Sequence, residues 1–227
     1  MVNYNSSEIQ KWNDNGPIQN SHNCYSYFLN KLDSNNITKC KMTLTNNKTR
    51  KKKFRCNTHQ PGYYTGLTQK QYIKRRKPRT PSGFRYHCKD VLKLIKADNP
   101  KITILGSSRD AAHTKCHDNE YKGAVVTTSK DAWKHSDYHF YRQDDDNWWS
   151  HKDGRNPIKN VDASGKRIRD PFLANRKYKT NNYTDFCSYM CVPRNSEDKN
   201  FSATNNTPSR KVRKTRKRMN KSRKQKK

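Results

Sequence analysis

Apolar positions in this chain come in short, separated groups, and each group carries a period. Cys24, Tyr27, Phe28 and Leu32 share one face at helical spacing. Asn23 stands where an N-cap belongs, and Asn35-Asn36 marks the expected end of that helix. A second helix is predicted over Tyr86 to Ala97, with Val91, Leu92 and Ile95 on one side and Pro100 as its stop. Strands are predicted after it. Lys101 to Leu105 is short and β-branched, Lys122 to Thr128 contains Ala124-Val125-Val126, Asp137 to Gln143 alternates, and Asn147 to His151 is aromatic. Turn residues Asp153-Gly154, Asn156-Pro157 and Ser164-Gly165 punctuate an irregular stretch before a last buried piece over Cys187 to Val192. Residues 1–20 look like a loose polar lead-in, and 40–60, rich in Asn and Lys, like a long loop.

Composition changes this picture at the ends. Leu, Ile, Val and Phe make up under a fifth of the chain, and the net charge is +31. Both features favour disorder. The 13 Tyr and 4 Trp supply core-forming area instead. An ordered body over 21–193 and a disordered basic tail over 194–227 are therefore expected. Ser209 to Lys227 holds 12 Lys/Arg and no acid. Arg210, Lys211, Arg213, Lys214, Arg216, Lys217 and Arg218 are the candidate contacts to a polyanion such as DNA or RNA, bound through phosphates without sequence preference. No run reaches the ~18 apolar residues of a membrane span. The opening residues resemble no signal peptide, and the seven cysteines are odd in number and irregularly spaced. Together these predict an intracellular protein with reduced thiols. His87-Cys88, Cys116-His117 and Cys187-x-x-x-Cys191 contain ligand types, but none has the tight pairing that structural zinc prefers. No metal or cofactor is expected.

The candidate chemistry lies in Cys24, His139 and His151. A helix N-terminus and a neighbouring imidazolium both favour a thiolate, and a third polar group must hold the ring in the right tautomer. If a three-residue turn is centred on Asp145, His139 and His151 are direct cross-strand partners on one face. Another register would leave Asp162 or Asn160 as the third group. The backbone N–H of Cys24 is a natural oxyanion donor.

Several segments carry a family resemblance: Asn23-Cys24-Tyr25, Gln60-Pro61-Gly62, Asp137 to Gln143, Trp149-Ser150-His151-Lys152, Asp162 to Lys166 and Asp170-Pro171. Over about Ser21 to Pro193 the chain resembles bacterial and viral proteins related to the NlpC/P60 cysteine peptidases. The resemblance implies an α+β, papain-like fold in which the Cys-bearing helix packs on an antiparallel sheet. It implies Cys24 as nucleophile, His139 as base and His151 as orienting residue, acting on a peptide or amide substrate. The chain departs from the family pattern in having Asn23-Cys24-Tyr25 where Asp-Cys-Ser is common, and Tyr138-His139 where Gly-His is usual. The alternative expectation is a basic nucleic-acid-associated or virion packaging protein with a non-catalytic core of this fold.

Overall fold

Asn23 begins the central helix as its side chain predicts. Its Oδ1 accepts hydrogen bonds from the backbone N–H groups of Tyr25 (3.1 Å) and Ser26 (3.2 Å), satisfying two donors that a helix start leaves unpaired. The computed structural model describes residues 6–47, 55–66, 86–128 and 136–194. The elements are α1 (Ser6–Trp12), α2 (Pro17–Ser21), α3 (Cys24–Phe28), α4 (Ser34–Asn47), α5 (Cys88–Asp98), β1 (Thr103–Gly106), α6 (Arg109–His113), β2 (Glu120–Thr127), β3 (Tyr138–Gln143), β4 (Trp149–Lys152), β5 (Ile158–Lys159) and β6 (Asp185–Pro193). The six strands form one sheet in the order β1-β6-β2-β3-β4-β5, every neighbouring pair antiparallel. The fold is α+β, with short N-terminal helices packed against an open antiparallel sheet.

Strand alternation divides the core. Tyr121 and Val125 of β2, Tyr138 and Phe140 of β3, and Met190 and Val192 of β6 pack with Cys24, Tyr25, Phe28 and Leu29 around α3 and with Val91 and Ile95 of α5. The residues between them, Ala124, Val126, Tyr141 and Tyr189, join a second cluster with Trp149, Ile168 and Tyr183. Phe28 lies directly on β2 at Gly123. A Cβ there would overlap its Cε2 and stand 2.9 Å from its Cδ2, so only glycine fits.

Several expectations are corrected. Over its described residues, 6–20, the lead-in is not loose. Within it α1 and α2 form, and Trp12 is fully buried against Tyr27 and Ile158. The first helix ends at Phe28, because Asn30 takes a left-handed backbone (φ 49°), so Leu32 lies beyond it. The first part of the expected 40–60 loop belongs to α4, and Arg109–His113 adds a short unexpected helix. The three-residue turn is present but comprises Asp145, Asp146 and Asn147. Asp144 N–H donates to Trp148 O at 2.8 Å, and Asn147 takes the left-handed position (φ 63°). This one-residue move of the turn centre slides the pairing by two, to Tyr141↔His151. A slide of two preserves the face, so His139 and His151 become diagonal neighbours instead of direct partners.

The thiols are not reduced. Cys40–Cys56, Cys88–Cys187 and Cys116–Cys191 are disulfides, and of the seven cysteines only Cys24 is free. No helix among the described residues is long and apolar enough to cross a membrane. The tail from 195 onward, with the candidate polyanion contacts Arg210, Lys211, Arg213, Lys214, Arg216, Lys217 and Arg218, lies outside the described residues.

Candidate functional site

Cys24 is the first residue of α3 and is buried. Burial pushes its thiol pKa up, and the carboxylates of Asp137 and Asp153 push the same way. The backbone N–H groups of Phe140 and Tyr25 favour the thiolate but are outweighed. A helix of five residues contributes little dipole against this. The thiol therefore rests protonated, where the sequence led us to expect a thiolate.

The two histidines are brought together. His139 Nε2 and His151 Nδ1 are 2.8 Å apart, and His151 Nε2 lies 2.9 Å from the carbonyl oxygen of Val161. A carbonyl only accepts, so His151 carries its proton on Nε2. Burial lowers the pKa of both rings, and for His139 the neighbouring His151 adds to this, so both are neutral near pH 7. His151 Nδ1 is then the acceptor and His139 Nε2–H the donor. His139 therefore carries its lone pair on Nδ1. That atom makes no hydrogen bond among the described residues. The Val161 carbonyl sets the tautomer of both rings, a role of the kind the third group of a triad fills.

Tyrosines enclose this pair. Tyr183 stacks on His139 at 5.4 Å between ring centroids, and Tyr141 meets it edge-on at 5.1 Å. Tyr178 approaches His151 at 6.1 Å. The Tyr183 hydroxyl donates to Asp137 Oδ2 (2.9 Å), which also accepts from Asn181 Nδ2 (2.8 Å). Asp137 thereby ties the irregular segment before β6 to the start of β3. Cys24 meets β3 from the side of Tyr138 and Phe140, whereas the His139 ring packs with Tyr141, Tyr178 and Tyr183. Among the described residues Cys24 Sγ makes no hydrogen bond to either histidine.

Asp162, the alternative third group, has another task. Its Oδ1 accepts from the N–H groups of Ser164 (2.9 Å) and Lys166 (3.1 Å) and from the Ser164 hydroxyl (2.7 Å), and its Oδ2 from Asn175 N–H (2.9 Å). It knots a turn. Asn160 supplies its carbonyl to Ile168 N–H. His151 is the residue that holds His139.

Two features escaped sequence reasoning. Lys152, next to His151, is fully buried, and its Nζ donates to the carbonyls of Gln19 (2.8 Å), Gly154 (2.9 Å) and Asn156 (3.0 Å). It pins the end of β4 to the N-terminal helices. Burial lowers its pKa to about 8, against the carboxylates of Asp153 and Asp14, which raise it. Asp98, at the end of α5, accepts from Tyr25 Oη (2.9 Å), Gly62 N (2.6 Å) and Thr65 N (3.0 Å), tying α3 to the Pro61-Gly62 turn. A buried Lys beside a His, or an Asp after a helix, carries no distinguishing pattern in sequence. The donor atoms of Cys116, Glu120 and Cys191 lie within 4.8 Å of one another, but the two sulfurs are bonded to each other and leave one carboxylate.

Over 60 residues, 26% of this chain, the sequence is 45% identical to insoluble matrix shell protein 1 of Ruditapes philippinarum, and the match spans 38% of that protein. No family model matches the chain, and no solved structure matches it.

Proposed function

We propose that this chain is a thiol-dependent amide hydrolase with a papain-like, NlpC/P60-related arrangement, in which Cys24 is the nucleophile, His139 the base and His151 the orienting residue. One observation carries the reading. The single cysteine left out of three disulfides begins a capped helix against the strand whose histidine has its tautomer fixed through His151 and Val161 O. In this reading the resting pair is neutral. This reading requires Cys24 and His139, which pack on opposite sides of β3 in the resting structure, to come together on substrate binding, so that the Cys24 proton passes to His139 Nδ1 as sulfur attacks the amide carbon. The tetrahedral oxyanion is held by the Cys24 backbone N–H. Its collapse breaks the C–N bond, His139 returns the proton to the departing amine, and water, deprotonated by His139, then cleaves the thioester.

The test is turnover of a fluorogenic peptide-amide library. We expect hydrolysis that disappears in Cys24→Ala and His139→Ala and falls by roughly 10²–10⁴-fold in His151→Ala. Burial lowers the His139 pKa, so the acid limb of kcat/KM should lie below the ordinary imidazole range near 6.5. Retained turnover in Cys24→Ala sinks the proposal.

A second reading rests on the disulfides and the partial match to a shell matrix protein: a structural component of an extracellular, oxidising matrix. In this second reading the chain lies outside the cell, where its opening residues and cysteine spacing led to the expectation of an intracellular protein. Absence of turnover across the library, with the chain recovered in insoluble extracellular material, favours this reading. In either reading we propose that Ser209 to Lys227 holds a polyanion.

A further inference from the structure

On the side of the sheet that carries Tyr141 and Trp149, a groove of about 920 Å³ lies between α6 and the 162–174 segment. Its floor is apolar, made by Trp149, Ile168, Ala112 and Tyr189, and Phe172 and Leu173 stand at its lip. Leu173 is 78% exposed and Phe172 48%, which makes them two of the most exposed large apolar side chains among the described residues. Its rim is cationic, with Arg109, Lys166, Arg167 and Arg169 all exposed.

The acids of the groove are already engaged. Asp162 accepts four hydrogen bonds within its own turn, and Asp170 Oδ1 accepts from Tyr189 Oη (2.5 Å) and Phe172 N (2.9 Å). Arg167 is paired with Asp146 at 2.7 Å. Arg109, Lys166 and Arg169 face no carboxylate within ion-pair distance among the described residues. Arg169 instead lies 5.3 Å from the Trp148 ring, which Arg167 also covers at 4.4 Å. An apolar floor under a rim on which three of four cations hold no ion pair suits a ligand that is both anionic and apolar.

The aromatic surfaces decide between classes of polyanion. Trp148 has its ring occupied by guanidinium groups, Trp149 is buried, and Phe172 packs edge-on against Phe186 at 5.2 Å between centroids. Of these rings Phe172, half exposed, is the one left for a nucleobase to stack on. Side chains of Leu or Phe size fit the floor, with carboxylates reaching the rim. We propose that this groove docks an acidic peptide segment in which Asp or Glu alternates with large apolar residues. The groove contains neither Cys24 nor His139, so the proposal stands whether or not the chain is a hydrolase.

The experiment is fluorescence anisotropy of a labelled Glu-Leu-Glu-Asp-Phe-Glu peptide with the full chain at 150 mM salt. Arg109→Glu/Lys166→Glu/Arg169→Glu should weaken binding at least tenfold. Leu173→Ser should weaken it severalfold, and so should replacing Leu and Phe of the peptide by Ser. Removal of residues 209–227 should change it less than twofold. All four altered side chains are exposed, and circular dichroism of each variant checks the fold. Three outcomes overturn the proposal: unchanged affinity in the triple variant, loss of binding on tail removal alone, or equal displacement by a single-stranded oligonucleotide or phosphatidylserine vesicles of matched charge.

Discussion

Lys152→Met is the substitution whose outcome follows most directly from the structure. The ammonium is fully buried, held by three carbonyls and, among the described residues, by no carboxylate at ion-pair distance. Burial takes its pKa from 10.5 in the free side chain to about 8. Between those values the unfolded chain holds a proton that the folded chain has lost, so stability rises with pH at about 1.36 kcal/mol per unit. From pH 7 to 9.5 the gain is about 2 kcal/mol. In the same range an unfolded Cys24 ionises more readily than the buried thiol, which lowers stability as pH rises above roughly 8.5. The difference between wild type and Lys152→Met cancels that contribution and those of the buried tyrosines. Urea denaturation of both proteins at half-unit pH steps, without reductant, should therefore give a stability difference that grows by about 2 kcal/mol in favour of wild type. Methionine leaves three carbonyls without their donor, which offsets the whole curve but not its slope. A flat difference would mean that the carbonyl cage keeps the ammonium charged beyond pH 9.5, and the burial argument would be wrong.

The remaining predictions concern packing, cross-links and charge. Gly123→Ala drives a methyl group into the Phe28 ring and should cost about 1–3 kcal/mol by urea denaturation, with Phe28→Leu recovering part of it. Reducing Cys88–Cys187, whose partners are 99 residues apart, should remove the largest share of the disulfide stabilisation, up to about 4–5 kcal/mol on loop-closure grounds, and lower the Tm accordingly. The Cys88→Ser/Cys187→Ser chain, compared with the Cys40→Ser/Cys56→Ser chain, checks that ranking. Deleting 209–227 should shift elution from a heparin column to lower salt and flatten the salt dependence of DNA binding.

The sequence exposed those features whose causes are local. Asn23 caps its helix through bonds reaching two and three residues ahead, and every residue involved lies in one short window. The hairpin put both histidines on one face because a slide of two residues leaves alternation intact. The exact pairing was hidden because it depends on Asn147, and not an Asp, taking the left-handed position. Segment 34–47 is polar enough to pass for a loop. As a helix it is tied down by Cys40–Cys56 and by Asn36 Nδ2, which donates to Ser21 O and Asn57 O, partners that no local window contains. The disulfides were illegible for the same reason. Odd number and uneven spacing argued for reduced thiols, yet two of the pairs join residues 75 and 99 apart that meet only once β6 is inserted between β1 and β2. Tyr178 and Tyr183 come from a segment with only isolated bridges, and their place beside His139 depends on turns knotted by Asp162 and on the Asp137 bonds.

The disulfides also bear on how Cys24 is to be understood. A free thiol in a chain with three disulfides is a hazard, because the thiolate is the species that attacks a disulfide sulfur. Burial and two nearby carboxylates keep Cys24 protonated, which suppresses that attack. A thiol activated at rest would be oxidised or exchanged in the surroundings that formed the other three bonds. A base that is neutral, carries its lone pair on a defined nitrogen and takes the proton only as sulfur attacks gives nucleophilicity without a standing thiolate. The neutral His139–His151 pair meets that requirement, since Val161 O fixes the tautomer through His151 without adding a negative charge. An aspartate in the place of His151 would raise the His139 pKa and favour the ion pair. In the proposed hydrolase, a second imidazole that is itself bound to a carbonyl therefore suits a thiol nucleophile that has to survive among disulfides.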